Sequence, residues 1–134
     1  MKNTFKILLF IAVSLLSGCD PIHGIFFINE SGSNALVTIK LDTLDAEDYF
    51  FYEDGRIGDS LIINVPVGTS KDLTFGIGTW SDWAVENLSQ SIEWLKIEAA
   101  GKEVQYKSSD ALYQLFLDNR KGSWQKTAIE IKIE

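Results

Sequence analysis

The chain has little of what most enzyme chemistry needs. Its 134 residues include one cysteine, one histidine and two prolines. A single cysteine cannot close an intramolecular disulfide, even in an oxidising compartment. The single histidine, His23, leaves no pair of imidazoles for a zinc site. A Ser-His-Asp triad would need that one imidazole held inside the fold. No G-x-S-x-G elbow or phosphate-binding P-loop occurs, and Gly76-Ile77-Gly78 is followed by Ser81 where a dinucleotide fingerprint needs its third glycine. Nor is there an apolar run long enough to cross a bilayer. Ile7–Leu16, the longest, would span ~15 Å as a helix, about half the hydrocarbon thickness. Basic residues are scarce too, 12 against 19 acids. That balance argues against nucleic acid, whose phosphates need a basic footprint.

What the first 24 residues do contain is ordered. Lys2 and Lys6 precede ILLFIAVSLL at 7–16, then come small Ser17 and Gly18, then Cys19. A basic start, a short apolar stretch and small residues at its end describe a secretory signal peptide. Leu16-Ser17-Gly18-Cys19 resembles the lipobox of bacterial lipoproteins. The resemblance covers the leader and Cys19 alone. It implies cleavage before Cys19, a diacylglycerol on its thiol and acylation of the new amino terminus. Three acyl chains would exceed the two signals that stable anchoring takes, and the thiol would be consumed. The resemblance thus implies a lipid-anchored protein of the bacterial cell envelope. Residues 1–18 form the leader, 19–24 the lipidated cysteine and a short tether, and 25–134 a single β-rich domain. Without Lys2 and Lys6, ten basic residues face 19 acidic ones, a net charge of −9. Such a surface discourages adhesion to anionic headgroups.

Beyond the tether, strand signals recur at short spacing with turns between them. IFFINE at 25–30 and ALVTIKL at 35–41 flank the turn cluster SGSN and read as a hairpin. Residues 42–59 form an irregular acidic connection with seven acids and one base, a turn at Glu53-Asp54-Gly55 and an edge strand at the aromatics 49–52. SLIINVPV at 60–67 alternates, and Pro66 ends it or puts it at an edge. LTFGI at 73–77 continues as a strand. Ser81 caps a short helix over 81–91 with Ala84, Val85 and Leu88 inward. Residues 92–98 and 102–107 form a second hairpin about Ala99-Ala100-Gly101. A helix capped by Ser109 runs through 109–121 to Gly122. In TAIEIKIE, Ile129, Ile131 and Ile133 alternate with charges as in a half-buried strand. These signals predict a mainly β domain, an antiparallel β-sandwich with one or two short helices. An α+β arrangement with helix 109–121 on one sheet is the alternative.

No motif calls for a cofactor. The acidic 42–59 stretch could offer oxygen ligands to calcium, but Glu47 stands where an EF-hand loop needs glycine. Paired carboxylates could in principle cleave glycosides, yet nothing singles out a pair. Asn29-Glu30-Ser31 and Asn87-Leu88-Ser89 match the N-glycosylation pattern. The candidate ligand surface is GTWSDW at 78–83. Exposed side by side, Trp80 and Trp83 would make an aromatic platform for a glycan or protein ligand, with Asp82 as polar neighbour. Buried, they would seal the end of the sandwich, as Trp94 and Trp124 are expected to do within their strands. The sequence therefore points to a non-catalytic lipoprotein that binds or scaffolds something. One alternative binds carbohydrate through Trp80 and Trp83. Another is an inhibitor or immunity protein acting on a basic protein.

Overall fold

Most of the longer described strands divide their side chains between core and outside, and this alternation builds two facing sheets. A computed structural model describes residues 22–42, 56–122 and 125–134. Strand β1 (Ile22–Asn29) lies between β5 (Ser70–Ile77) and β9 (Ala128–Ile133), and the two-residue β8 (Arg120–Lys121) extends this sheet to the order β5-β1-β9-β8. The second sheet is antiparallel throughout, in the order β3-β4-β2-β6-β7. Its strands are β2 (Ala35–Leu41), β3 (Arg56–Ile57), β4 (Ser60–Val65), β6 (Ile92–Ala99) and β7 (Lys102–Tyr106). Between the sheets lie Ile25 and Phe27 of β1, Val37 and Ile39 of β2, Leu61 and Val65 of β4, Leu95 of β6, and Ile129 and Ile131 of β9, all buried. The protein is mainly β, and its architecture is that of a sandwich, as the alternation predicts.

Among the described residues, two helices complete the core. Helix α1 (Asp82–Gln90) starts where Ser81 accepts a hydrogen bond from the Ala84 amide, and it buries Val85 and Leu88. Helix α2 (Ser109–Asp118) buries Leu112 and Phe116 and packs against α1 and β6. Its cap is Ser108, not Ser109, and it stops well before Gly122. Asn119 ends it by donating from its side-chain amide to the Leu115 carbonyl at 2.8 Å. Arg120 and Lys121 then leave the helix to pair with Ile129 and Ala128.

The structure corrects three further expectations. First, β1 begins at Ile22, so Ile22, His23 and Gly24 belong to the sheet and not to a tether. Second, β1 and β2 do not form a hairpin. They belong to different sheets, and Glu30–Asn34 arches between them. A second arch, Pro66–Thr69, carries β4 across to β5, with the strand ending at Val65 before Pro66 as its missing amide requires. Third, the first and last strands pair parallel, Gly24 opposite Ala128 through Asn29 opposite Ile133. The predicted turn at 53–55 and edge strand at 49–52 lie outside the described residues. The tip of the β3–β4 hairpin is Gly58-Asp59.

The two arches meet on one side chain. Asn29 is 1% exposed at the core-facing position that follows Ile25 and Phe27. Its side-chain amide donates to the Ser33 carbonyl at 2.9 Å in one arch and to the Val65 carbonyl at 2.8 Å beside the other. Its side-chain oxygen accepts from the Ser31 amide at 3.0 Å and the Ser31 hydroxyl at 2.7 Å. Its backbone bonds Thr69 and Gly68 in the second arch. A two-residue hairpin turn satisfies itself through strand pairing. These sheet-crossing turns cannot, and a buried asparagine supplies the missing partners. Its amide nitrogen, the atom a glycan would need, is fully engaged. The Asn29-Glu30-Ser31 pattern therefore serves the fold.

Candidate functional site

The GTWSDW segment leads from β5 into α1 and splits its two tryptophans. Trp80 is 1% exposed, whereas Trp83 in the first helical turn is 69% exposed. They do not form a shared platform. Trp80 is drawn inward by three polar links as well as by its ring. Its indole N–H donates to the Gly24 carbonyl at 3.0 Å. Its backbone amide donates to Lys126, and its carbonyl accepts from the Arg120 guanidinium at 2.9 Å. The same guanidinium donates to Asp82 at 2.7 Å. Asp82, offered as a polar neighbour for a ligand, is thus held in an ion pair on a side chain that is otherwise exposed. Trp94 is half-buried, Trp124 lies outside the described residues, and so does Cys19.

His23 packs on Trp80 with ring centroids 3.9 Å apart, and Phe75 meets the same indole edge-on at 5.3 Å. The register explains how these rings converge. Ile22 pairs with Ile77 and Gly24 with Thr74, so β5 carries an extra residue there, and Gly76 takes a φ of 88°. The Gly76-Ile77-Gly78 pattern is thus a strand bulge, where glycine adopts a left-handed backbone without strain.

Burial holds the His23 pKa below its ordinary 6.5. The unfolded chain therefore takes up this proton first as pH falls. His23 contributes stability that is fully present above 6.5 and is lost as pH falls through its lowered folded value. The denaturation midpoint is expected to decline as pH falls below 6.5, and His23→Gln is expected to flatten that decline. An unchanged slope in the variant would assign the decline to other groups. Asp59 acts lower on the scale. A hydrogen bond from Lys40 holds its carboxyl below 3.8, so its contribution is lost only as pH falls below that range.

An apolar surface lies elsewhere, along the open side of the sandwich between β7 and β9. It is a groove of about 270 Å³. Ile97 and Val104 line one wall, Ile131 and Ile133 the other, and Leu115 of α2 closes one end. Val104 is 50% exposed there. The β8–β9 ladder stops at Ile129, so among the described residues β9 has no strand neighbour on its outer side beyond it. Among the described strands, β7 is likewise the last of its sheet. Lys102, Lys132 and Glu134 stand on the rim. The groove can take an apolar side chain while the flanking strand edges offer backbone hydrogen bonds to an extended segment.

Sequence reading missed this groove because its walls come from strands that are remote in the chain. The alternation of 128–134 marks which isoleucines face inward, but not that no strand would cover the far half of β9. A polar hollow of about 250 Å³ between the helices, lined by Glu86, Ser89, Ser109, Asp110 and Tyr113, brings together residues no motif connects. Among the described residues, no three His, Cys, Asp or Glu side chains are grouped to hold a metal ion. The acidic stretch considered for calcium falls mainly at 43–55, outside the described residues. Among the described residues, no helix is long and apolar enough to cross a membrane. Compared with protein-family models, with curated proteins and with solved structures, this chain matches none.

Proposed function

We propose that this chain is a bacterial envelope lipoprotein, anchored through lipid on Cys19, whose β domain is a non-catalytic binding module. The observation that carries the reading is the junction of leader and fold. The lipobox-like Leu16-Ser17-Gly18-Cys19 is followed after two residues by Ile22, the first residue of β1. A leader cut before Cys19 would leave the whole sandwich intact and start the mature chain at its first strand.

The binding surface is the β7–β9 groove, and its ligand is a protein. Mainly aliphatic walls, with Tyr106 the one aromatic lining residue and packed against the core, suit an extended polypeptide along the strand edges better than a sugar ring, which stacks on an exposed aromatic face. The glycan platform of Trp80 and Trp83 loses its support because Trp80 is inside. Inhibition of a basic protein remains one form of the protein-ligand reading.

Cys19→Ser tests the anchor. In cells the wild-type chain is expected to take up a fatty-acid probe and to float with membranes. The serine variant is expected to remain uncut, with neither label nor the mature mobility. Normal processing of Cys19→Ser would overturn the lipoprotein reading.

A further inference from the structure

Three side chains stand out among the exposed apolar residues. Trp83 is 69% exposed, Ile57 68% and Ile22 62%, while Val104, Val67, Leu36 and Ile62 range from 50% down to 36%. Solitary exposed apolar residues are ordinary. The placement of these three is not scattered. Ile22 is the first residue of β1. Trp83 follows by three residues the indole that bonds Gly24 in the same strand. Ile57 sits on the β3–β4 hairpin, whose tip accepts a hydrogen bond from Leu41 at the end of β2, and Leu41 pairs with Ile92, two residues beyond α1, the helix whose first turn holds Trp83. The three most exposed large apolar side chains of the described residues thus share the end of the sandwich at which the chain enters it.

That end has a constraint the other lacks. From Cys19 to Ile22 the chain can extend no more than ~11 Å. Resting on the lipid-anchor reading, we infer that this end of the sandwich is seated in the headgroup layer of a zwitterionic bilayer, with Trp83, Ile57 and Ile22 inserted at the interface. Tryptophan suits that zone because its ring is apolar and its N–H remains solvated. Two acidic residues of this end are already neutralised. Asp82 is paired with Arg120, and Asp59 with Lys40. The lipid class follows from charge. After Gly18 the sequence has ten basic residues against 19 acidic ones, so anionic headgroups would repel the domain.

The test uses the lipidated protein, cut before Cys19, in phosphatidylcholine vesicles. Because lipid occupies the thiol of Cys19, a cysteine introduced at Ile57 (Ile57→Cys) or Val104 (Val104→Cys) is the sole site for an environment-sensitive fluorophore. At position 57 the emission is expected to shift to the blue and to be quenched by lipids spin-labelled near the headgroup. At position 104, in the groove, neither change is expected. Adding Trp83→Ser, an exposed position whose loss should leave folding intact, is expected to weaken quenching at 57 while flotation persists. Phosphatidylglycerol in place of phosphatidylcholine is expected to reduce the quenching. Floating protein with position 57 as solvent-exposed as 104, or with both quenched alike, overturns the seating and leaves the anchor standing. Protein that does not float overturns the anchor reading itself.

Discussion

Asn29→Leu is expected to cost ~3–5 kcal/mol of folding stability, since a buried acceptor or donor left without a partner costs ~1–3 kcal/mol. Leucine matches the asparagine in shape and is compatible with an apolar core. The loss therefore reports polar satisfaction and not packing. Without the side-chain amide, the Val65 carbonyl loses the partner that Asn29 supplies. Without the side-chain oxygen, the Ser31 amide is stranded in a buried corner. Ser31 can still turn its hydroxyl toward Ser33 at 2.9 Å, which limits the damage.

Asn29→Asp is sharper still. It keeps the shape but turns an acceptor against two carbonyls, so the carboxylate must be expelled or protonated. Its destabilisation should shrink at acid pH, where a protonated carboxyl can again donate. This sign is opposite to that of His23, so the two effects separate in a pH series. Urea denaturation should show both variants with lower midpoints and an unchanged slope. Glu30→Gln, one residue along on an exposed ion pair with Lys132, should move stability by no more than ~0.5 kcal/mol. An Asn29→Leu variant within ~1 kcal/mol of wild type would mean that water replaces the asparagine and that the arches hold without it.

The second large effect separates the two tryptophans of one short motif. Trp80→Ala is expected to cost ~3–5 kcal/mol, the range for removing a large aromatic from a core. Trp83→Ala should change stability by no more than ~0.5 kcal/mol, as an exposed substitution does. Trp80→Phe dissects the first value. The phenyl ring can fill much of the space against His23 and Phe75, but the Gly24 carbonyl loses the donor from Nε1. Its expected cost is ~1–3 kcal/mol, from that carbonyl and the residual void. Trp80→Ala should also loosen the contact with the loop before β9, because Lys126 bonds the Trp80 backbone. Hydrogen exchange at Thr127 and Ala128 would read that loosening. Equal costs at positions 80 and 83 would contradict the burial that splits them.

Much of the architecture is legible in the chain because it rests on local periodicity. Ile129, Ile131 and Ile133 alternate with charges, and all three are buried. Val85 and Leu88 fall one helical turn apart after a serine cap, and both face the core. The second hairpin, with Ala100 and Gly101 at its two-residue turn, joins β6 to β7, and Ala99 pairs with Lys102 as such a turn requires. In each case a side chain's direction follows from its neighbours in sequence, through the geometry of a strand or helix.

What depends on partners far along the chain was not legible in this way. SGSN looks like a hairpin turn whether the strands beside it pair with each other or part into two sheets. The choice is made by Asn29, which finds Val65 thirty-six residues away. GTWSDW looks like a platform or a plug until the Gly24 carbonyl claims one indole and leaves the other outside. Among the described residues the groove exists because β8 is two residues long and pairs with only the start of β9, a property of strand order and not of any segment. The sequence alone carries the resemblance to a lipobox and determined that the strands alternate into a β domain, because those are short-range patterns of charge, size and polarity. Only the tertiary structure decided which turns cross between sheets, which tryptophan is buried and where an apolar surface stays open. Those outcomes are set by hydrogen-bond and packing partners that the fold brings together from distant positions.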